Sequence, residues 1–226
     1  MANVGQQKKT ELKKSKILHA AAKLFLTNGY QKTKIQDVAK EAGVGPSTAF
    51  SIFGDKDGLM AELVAYVLEG QFKATHKFLS GVTDDKILFY AAETTLQLYI
   101  AESSEHIREL YATAYSSPKS SHIIYNTITE KLEDIFREHL PHLAPKDFYE
   151  LELASGGIMR SFMTVPCDRY FTMERKVRRF LETTFLVYEV PREKINEAVA
   201  FVAQFDFPSL AQNTIDHMLG YLESQT

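Results

Sequence analysis

Apolar residues recur three and four positions apart along most of the chain, as in Leu59, Leu63 and Val67. This spacing places them on one face of an α-helix, and no sustained alternation typical of strands competes with it. All seven prolines lie where a helix would begin or end, as an all-helical protein requires. The pattern therefore predicts an all-α fold, with helices over 10–28, 34–41, 46–52, 56–79, 85–103, 105–115, 119–139, 146–165, 169–189, 192–204 and 208–223.

The composition is that of an ordinary globular protein. The chain has 226 residues, of which 45% are hydrophobic and 24% charged, which is enough to bury a core and argues against disorder. Cys167 is the only cysteine. An intramolecular disulfide is therefore impossible, and we expect the protein to work in a reducing compartment. Because we find neither a secretory signal nor an apolar run of about 18 residues, we expect a cytoplasmic protein with no membrane span.

The positive charge is concentrated near the amino terminus. Residues 1–56 contain ten lysines, no arginine and four acidic residues, whereas the remainder carries a net charge of −9. We therefore divide the chain into a head, residues 1–56, and a body, residues 57–226. A basic head on an acidic body indicates a polyanion partner for the head alone, although a lysine-rich terminus also serves as a solubilising tail.

The head contains the signals of a helix-turn-helix unit. The first helix should end at Gly29, and Thr33 should start the second helix with a capping box that includes Gln36. The segment 42–44 predicts a tight glycine turn, after which Pro46 opens a third, very short helix. Such a pair places its second helix in the DNA major groove, while a plain helical hairpin is the alternative.

The string from residue 17 to residue 63 resembles the DNA-binding domain of the TetR family of bacterial transcriptional regulators. The matching positions are Ala21, Leu24, Phe25, Gly29, Tyr30, Thr33, Ile35, Val38, Ala39, Ala42, Gly43, Val44, Phe53, Lys56 and Leu59. The resemblance implies an N-terminal three-helix, homeodomain-like DNA-binding domain followed by a larger helical domain for ligand binding and dimerisation. It covers about a fifth of the chain strongly.

The resemblance also implies which side chains contact DNA. The candidates are Thr33, Lys34, Ser47, Thr48, Phe50, Ser51 and Lys56. Thr33 and Lys34 would meet phosphate at the start of the second helix, and Lys56 would hold the DNA backbone from the other side. Phe50 stands where the family usually has a tyrosine, so a phosphate hydrogen bond is lost. The third helix has no Arg or Lys, so we expect hydroxyls, methyl contacts and DNA shape to carry specificity.

Four lysines precede the helix-turn-helix unit: Lys8, Lys9, Lys13 and Lys14. They form either a flexible arm along DNA or a solvated tail, and we favour the arm. If each subunit neutralises several phosphates, the affinity should fall steeply with salt.

The body lacks a recognisable catalytic or metal-binding motif. His139 and His142 straddle Pro141, which disfavours a shared helical face for a metal. We therefore expect neither an enzyme nor a cofactor. Aromatic and methionine residues on amphipathic helices usually form core, but the resemblance implies an unidentified small-molecule effector bound among them. The candidate ligand-binding residues are Tyr99, Tyr111, Tyr115, Tyr125, Met159, Phe162 and Met163.

Two adjacent glycines, Gly156 and Gly157, lie inside a predicted helix. Each should cost about 1 kcal/mol relative to alanine. Close approach of another helix, including one from a twofold partner, or room for a ligand would explain them, and we favour the helix contact.

The resemblance further implies a homodimer. Candidate interface helices are 146–165 and 169–189, the second of which carries Tyr170, Val177, Phe180, Leu181, Thr184 and Phe185 at helical spacing. The helices after Pro191 are an alternative. The expected function is that of a homodimeric repressor which a small-molecule ligand releases from a palindromic operator on double-stranded DNA. An adaptor that uses the same fold for protein partners is the alternative, and an all-helical enzyme is a third possibility.

Overall fold

The computed structural model describes the backbone of residues 2–224 and the side chains of residues 9–224. All regular structure in this part of the chain is α-helical, which confirms the predicted fold class. The helices are α1 (Ala2–Asn28), α2 (Ile35–Glu41), α3 (Pro46–Phe53), α4 (Lys56–Leu79), α5 (Lys86–Glu102), α6 (Glu105–Ala114), α7 (Pro118–Phe136), α8 (Pro145–Thr164), α9 (Met173–Val187), α10 (Arg192–Val202) and α11 (Phe207–Ser224).

The head is a three-helix unit built on the predicted apolar stripes. Ile17, Ala21 and Phe25 of α1 are fully buried, as are Val38 on α2 and Ala49 on α3. Neither α2 nor α3 is long enough to persist alone in water. Their position therefore depends on packing against α1 and on the turn that joins them.

In the body, the other helices surround α5. Nearly every residue of α5 from Leu88 to Ala101 is buried, and the helix contacts α4 and α6–α11. Tyr90 on α5 meets Phe136 and Tyr188 in an aromatic cluster, in which the last two rings stack at a centroid distance of 4.2 Å. This core fixes the helices that surround the cavities described below.

Head and body are in contact along α1, which packs against α4, α6 and α11. The helix α4 begins at Lys56, the last residue of the head, and continues into the body, where it packs against α5 and α7. A movement of α1 or α4 would therefore change the position of the head relative to the body.

Several predicted helix boundaries shift in the structure: α7, predicted to end at residue 139, ends at Phe136, and the starts of three other helices also move. Helix α1 begins at Ala2 instead of residue 10, and α2 begins at Ile35 after the N-cap Lys34. The predicted helix 169–189 begins at Met173, because the Asp168 carboxylate accepts the Tyr170 and Phe171 amides in a turn. A polar turn that satisfies its own amides is stable without a helix.

None of the helices in residues 2–224 is both long enough and apolar enough to cross a membrane.

Candidate nucleic-acid interface and ligand cavities

The turn between α2 and α3 is fixed by backbone geometry. Gly43 has a φ of +65°, a conformation that favours glycine. The Val44 amide donates to the Ala39 carbonyl oxygen at 3.0 Å, which folds the chain back at the end of α2. Gly45 then caps α3, and Pro46 occupies its first turn. These features present α3 at a fixed angle to α2, as a helix-turn-helix requires.

One side of α3 faces solvent and carries the predicted contact residues; we call Ser47, Thr48, Phe50 and Ser51 the reading face. Ser47, Phe50 and Ser51 are exposed, and Thr48 is half-buried. The opposite side, with Ala49, is buried in the head. An exposed ring is unusual for phenylalanine, and 40% of Phe50 is accessible. The hydroxyls of such a surface can hydrogen-bond to base edges, and the ring can contact thymine methyl groups.

Thr33 differs from its predicted role. Its side chain is only 2% exposed, and its hydroxyl donates to the Gly29 carbonyl oxygen at 2.8 Å. The hydroxyl therefore closes the loop before α2 and does not meet phosphate. Helix α2 begins one residue later than the predicted capping box: the Lys34 amide donates to Asp37 Oδ2 at 3.0 Å, whereas the Lys34 side chain has no acceptor with which to complete a box. Lys34 itself is exposed at the start of α2, where we expected a phosphate contact.

Lys56 is likewise engaged within the protein. Its Nζ donates to the Tyr30 carbonyl oxygen at 2.6 Å and lies 3.8 Å from the centre of the Tyr30 ring. Burial lowers the pKa of Lys56, an effect that the nearby Asp57 and Glu109 oppose. The Tyr30 hydroxyl donates to Asp57 Oδ1 at 2.8 Å. In this structure Lys56 holds the start of α4 to the head, in contrast to the expected DNA clamp.

The lysines before the helix-turn-helix unit belong to α1, so the expectation of a flexible arm is wrong for this structure. Lys9 and Lys13 are exposed, and Lys8 lies outside the described side chains. Lys14 forms an ion pair with Glu62 of α4 at 2.8 Å. A continuous helix at Lys9 and Lys13 arises because these residues have good helix propensity and no breaker separates them from 17–28.

Helix α6 is tied to the loop that follows α1. The Glu109 carboxylate accepts the Tyr30 amide at 3.1 Å and the Gln31 amide at 2.9 Å, and His106 Nδ1 lies 2.8 Å from the Leu26 carbonyl oxygen. Gly29 has a φ of +84°, and a Cβ there would lie 2.7 Å from Glu109 Oε2. Glycine is therefore required for both the backbone conformation and this close approach.

A cavity of about 110 Å³, which we call the apolar cavity, lies between α1, α4, α5, α6, α7 and α11. Its wall includes Ala22 and Leu26 of α1 in the head, and Tyr111 and Tyr115 among the predicted ligand residues. It has the apolar lining with a few polar groups that is typical of small-molecule sites.

A second cavity of about 30 Å³, which we call the acidic cavity, shares Gln97 and Tyr115 with the first. It is lined by Glu93, Glu152 and the predicted residue Met159. Burial raises the pKa of Glu93 to about 7, although a hydrogen bond from Gln97 favours the ionised form. Burial raises the pKa of Glu152 to about 8; the Ser155 hydrogen bond opposes this shift, and the charge of Glu93 adds to it.

The other four predicted ligand residues are not among those that line these two cavities. Tyr99 stacks on Phe207, with ring centres 5.5 Å apart, and lines a separate cleft near α10. Tyr125 contacts Tyr149 edge-on at 6.5 Å. Phe162 packs on Phe171 and Phe180, and Met163 is buried in the core. Tyr125, Phe162 and Met163 make the contacts of helix packing, which helical spacing alone does not distinguish from ligand contact, and the role of all four residues in ligand binding stays a prediction.

The residues missed by sequence reasoning are the buried polar ones. Glu93 and Gln97 sit on α5 among apolar neighbours, and Glu152 lies one turn after the buried Phe148. A carboxylate on the apolar face of an amphipathic helix was the available signal, because charged residues are almost never fully buried without a reason.

The apolar residues of 169–189 that we assigned to a dimer face are mostly internal. Val177, Phe180, Leu181, Thr184 and Phe185 are buried within the chain. The large apolar side chains that α8 and α9 leave exposed are instead Tyr149, Leu153 and Leu186. Tyr170 is exposed and precedes α9.

A helix-turn-helix with an exposed reading face, set in a basic head, defines a DNA-binding protein. Residues 17–63 match the family model described as "Bacterial regulatory proteins, tetR family". The resemblance inferred from the sequence for residues 17–63 is therefore confirmed.

Two similar proteins are named as HTH-type transcriptional regulators. The probable HTH-type transcriptional regulator YttP of Bacillus subtilis (strain 168) is 23% identical over 160 residues, which are 70% of this chain and 70% of that protein. The HTH-type transcriptional regulator HbdR of Aromatoleum sp. (strain CIB) is 32% identical over 80 residues, or 35% of each chain.

Among solved structures, a gamma-butyrolactone receptor described as an ArpA-like protein aligns with a TM-score of 0.42 and 19% identity. The alignment covers 91% of this chain and 99% of that chain.

Proposed function

We propose that the chain is a homodimeric repressor that binds a palindromic operator through α2 and α3 and leaves it when a small molecule binds in the body. The single observation that carries DNA binding is the exposed reading face on a helix whose other side is buried. We retain the division into the head, 1–56, and the body, 57–226, as part of this proposal.

The reading face favours a particular mode of recognition. Ser47, Thr48 and Ser51 can donate to or accept from base edges or phosphates, and Phe50 can contact a thymine methyl group. Lys34, at the amino-terminal end of α2, supplies a charge for the adjacent phosphate. Because α3 itself bears no Arg or Lys, guanine contacts of the bidentate type do not arise from it.

The position of the apolar cavity supports ligand release. A ligand in this cavity would touch Ala22 and Leu26 of α1 and also Leu110 of α6. Those helices are joined outside the cavity by the Glu109 hydrogen bonds to the loop after α1. Ligand binding would shift the population toward a head orientation that does not fit the operator, provided that the ligand binds that state more tightly.

The dimer is proposed to form along the exposed faces of α8 and α9. Leu153 and Leu186 are 45% and 65% exposed. Gly157 lies one turn after Leu153, and a Cβ there would have no neighbour within 4 Å in the described part of the chain. A small residue beside exposed leucines permits close approach of a second helix. Two reading faces held in this way could read half-sites one DNA turn apart.

The experiment is selection of bound duplexes from a random pool at about 0.15 M salt, where weak charge attraction is largely screened. We expect a palindromic sequence to be enriched by the wild-type chain. The variant Ser47→Ala/Thr48→Ala/Ser51→Ala should enrich it poorly, and the matched control Ser209→Ala, on α11, should behave as the wild type. Enrichment of no sequence by the wild type would reject the proposal and favour an adaptor function.

A further inference from the structure

Two carboxyl groups are buried together in the body. Glu93 on α5 and Glu152 on α8 are each 3% exposed and line the acidic cavity. No cation among the side chains of residues 9–224 forms an ion pair with either one; the Lys131 ammonium, on the cavity wall, instead lies 5.4 Å from the centre of the Phe72 ring. A buried carboxylate without a cation is costly. The arrangement therefore requires either retained protons or a positively charged ligand.

The hydrogen bonds around these carboxyls leave acceptors in excess. Gln97 Nε2 donates to Glu93 Oε1 at 2.6 Å, and the Ser155 hydroxyl donates to Glu152 Oε2 at 2.9 Å. The Tyr188 hydroxyl in turn donates to Ser155 at 2.7 Å. Gln97 Oε1 is buried with no partner among the described residues, and Gln97 lines both cavities. A group with several donors and a positive charge would satisfy this set.

The glycine pair on α8 is partly explained by the same carboxyl. A Cβ at Gly156 would lie 2.8 Å from Glu152 Oε1 and 3.4 Å from a carbon of the Tyr125 ring, whereas Gly157 has open space. Gly156 thus leaves room for the Glu152 carboxyl at the edge of the acidic cavity. We had favoured close approach of another helix as the reason for the two glycines. For Gly156 the reason is instead the Glu152 side chain of the same helix.

The two cavities adjoin, and their chemistry is complementary. The acidic cavity has room for about two water molecules or a small polar head group, and the apolar cavity beside it has room for a hydrocarbon portion. We propose that the effector is an amphipathic organic cation whose ammonium group lies between Glu93 and Glu152 and whose apolar portion occupies the apolar cavity. This inference rests on the proposed ligand-released function and names its ligand class.

Binding of such a cation would be linked to proton release. The raised pKa values mean that both carboxyls hold protons in mildly acidic solution, and an ammonium group would favour their ionised forms. The other titratable groups that surround them are Tyr90, Tyr111, Tyr115 and Tyr188, all with pKa values raised by burial, and Lys131 on α7. Since these tyrosines stay neutral, the affinity for an ammonium ligand should rise with pH as the two glutamates lose their protons.

The test uses three probes with one hydrocarbon chain and different head groups: hexylammonium, 1-hexanol and hexanoate. Binding to the full chain is measured by calorimetry near pH 8, without DNA. We expect hexylammonium to bind at least about tenfold more tightly than hexanol, which corresponds to about 1.4 kcal/mol, and hexanoate to bind most weakly. The preference for hexylammonium should weaken as the pH is lowered to about 6, where both carboxyls are mostly protonated.

The decisive variant is Glu93→Gln/Glu152→Gln, which removes both charges while keeping the side-chain size. It should lose the preference for hexylammonium over hexanol while still binding hexanol. The matched control Glu150→Gln changes an exposed glutamate on α8 and should retain the preference. Near-equal affinity of the wild-type chain for hexylammonium and hexanol, or an unchanged preference in the double variant, would overturn the proposal.

The outcome is separable from that of the proposed function. Operator selection by the wild-type chain tests DNA binding with no ligand present. A chain that selects a palindrome but shows no ammonium preference would contradict only the ligand class. A chain that shows the preference but selects no duplex would contradict only the regulatory function.

Discussion

The head and the body distribute their polar groups in opposite ways. The head keeps the hydroxyls of its reading face and most of its lysines at the surface, around a small apolar core. The body buries two carboxyls and several amide and hydroxyl groups within its helices. Exposed polar groups are suited to binding a hydrated polyanion such as DNA. Buried polar groups are suited to binding a ligand that leaves water when it enters a cavity.

The contrast also separates local from distant determinants. The reading face is formed by four residues within the short segment 47–51, and its orientation depends on one adjacent turn. The acidic cavity needs α5, α7 and α8, which are separated by long stretches of sequence. We therefore expect pH to change the stability of the chain through the buried carboxyls of the body. We expect salt to change the DNA affinity through the lysines of the head.

The largest expected effect is the pH dependence of the body. The pKa values of Glu93 and Glu152 in the folded chain are about 7 and about 8, above their ordinary value of 4.5. Their neutral forms contribute stability fully below about pH 4.5, and this contribution is lost as the pH rises through about 7 and 8. The free energy of unfolding should fall by several kcal/mol between about pH 5 and about pH 8.5.

Denaturant titrations at a series of pH values measure this change. Subtracting the profile of Glu93→Gln/Glu152→Gln from that of the wild type isolates the two carboxyls from all other titrating groups. Parallel profiles for the two proteins would show that the carboxyls do not titrate differently in the folded state.

The second effect concerns the junction between α3 and α4. A Cβ at Gly58 would overlap the Phe53 carbonyl oxygen, and the Gly58 amide is itself held by its hydrogen bond to Asp55, the N-cap of α4. Gly58→Ala should therefore destabilise the chain by about 3 kcal/mol, the upper end for forced backbone shifts, and should weaken DNA binding. Thermal unfolding and duplex titration measure the two results.

Gly220→Ala is the matched control for Gly58→Ala. Gly220 also lies in a helix, and a Cβ there would meet nothing within 4 Å in the described part of the chain. It should stabilise the chain by up to about 1 kcal/mol. Equal stabilities of the two variants would contradict the proposed crowding at Gly58.

A smaller effect is expected where the body holds the head. Glu109→Gln leaves the Tyr30 and Gln31 amides without their charged acceptor. It should lower the free energy of unfolding by about 1.5 kcal/mol and speed hydrogen exchange at those two amides. Glu105→Gln, at an exposed position on the same helix, should do neither. Unchanged exchange at Tyr30 and Gln31 would contradict the tie between α6 and the head.

The smallest expected effects distinguish the roles of two neighbouring residues of the head, Thr33 in stability and Lys34 in DNA binding. Thr33→Val removes a buried hydrogen bond and should cost about 1 kcal/mol of stability without changing the salt dependence of DNA binding. Lys34→Ala should leave stability unchanged and reduce the slope of log affinity against log salt by about 0.9, as for one lost phosphate contact. Duplex titrations at several salt concentrations measure the slopes, and equal slopes would contradict the assignment of Lys34.

Most helix positions were predictable because apolar spacing and helix-stop residues are local signals. The exceptions have local causes. Helix α2 starts after Lys34 because the Lys34 amide donates to Asp37. Helix α9 starts later than predicted because the Asp168 carboxylate holds a turn before it. The reading face was predictable because a few consecutive residues define it. Of the ligand residues chosen by residue type, Tyr111, Tyr115 and Met159 line the two cavities, whereas Tyr99 lines a different cleft and Met163 lies in the core.

The acidic cavity was not predictable by the same reasoning. Glu93 and Glu152 are 59 positions apart in sequence, and each becomes notable only when burial and a shared cavity are known. Gly156 gave a sequence signal, but its cause, the Glu152 carboxyl on the same helix, depends on side-chain orientation.

The most direct test of the central claim is titration of the selected duplex with the wild-type chain and with Ser47→Ala/Thr48→Ala/Ser51→Ala at several salt concentrations. We predict that the variant binds at least about tenfold more weakly at each concentration, with a similar salt slope and with unchanged thermal stability. Equal affinity of the two proteins for this duplex would contradict the assignment of the reading face and with it the proposed mode of operator recognition.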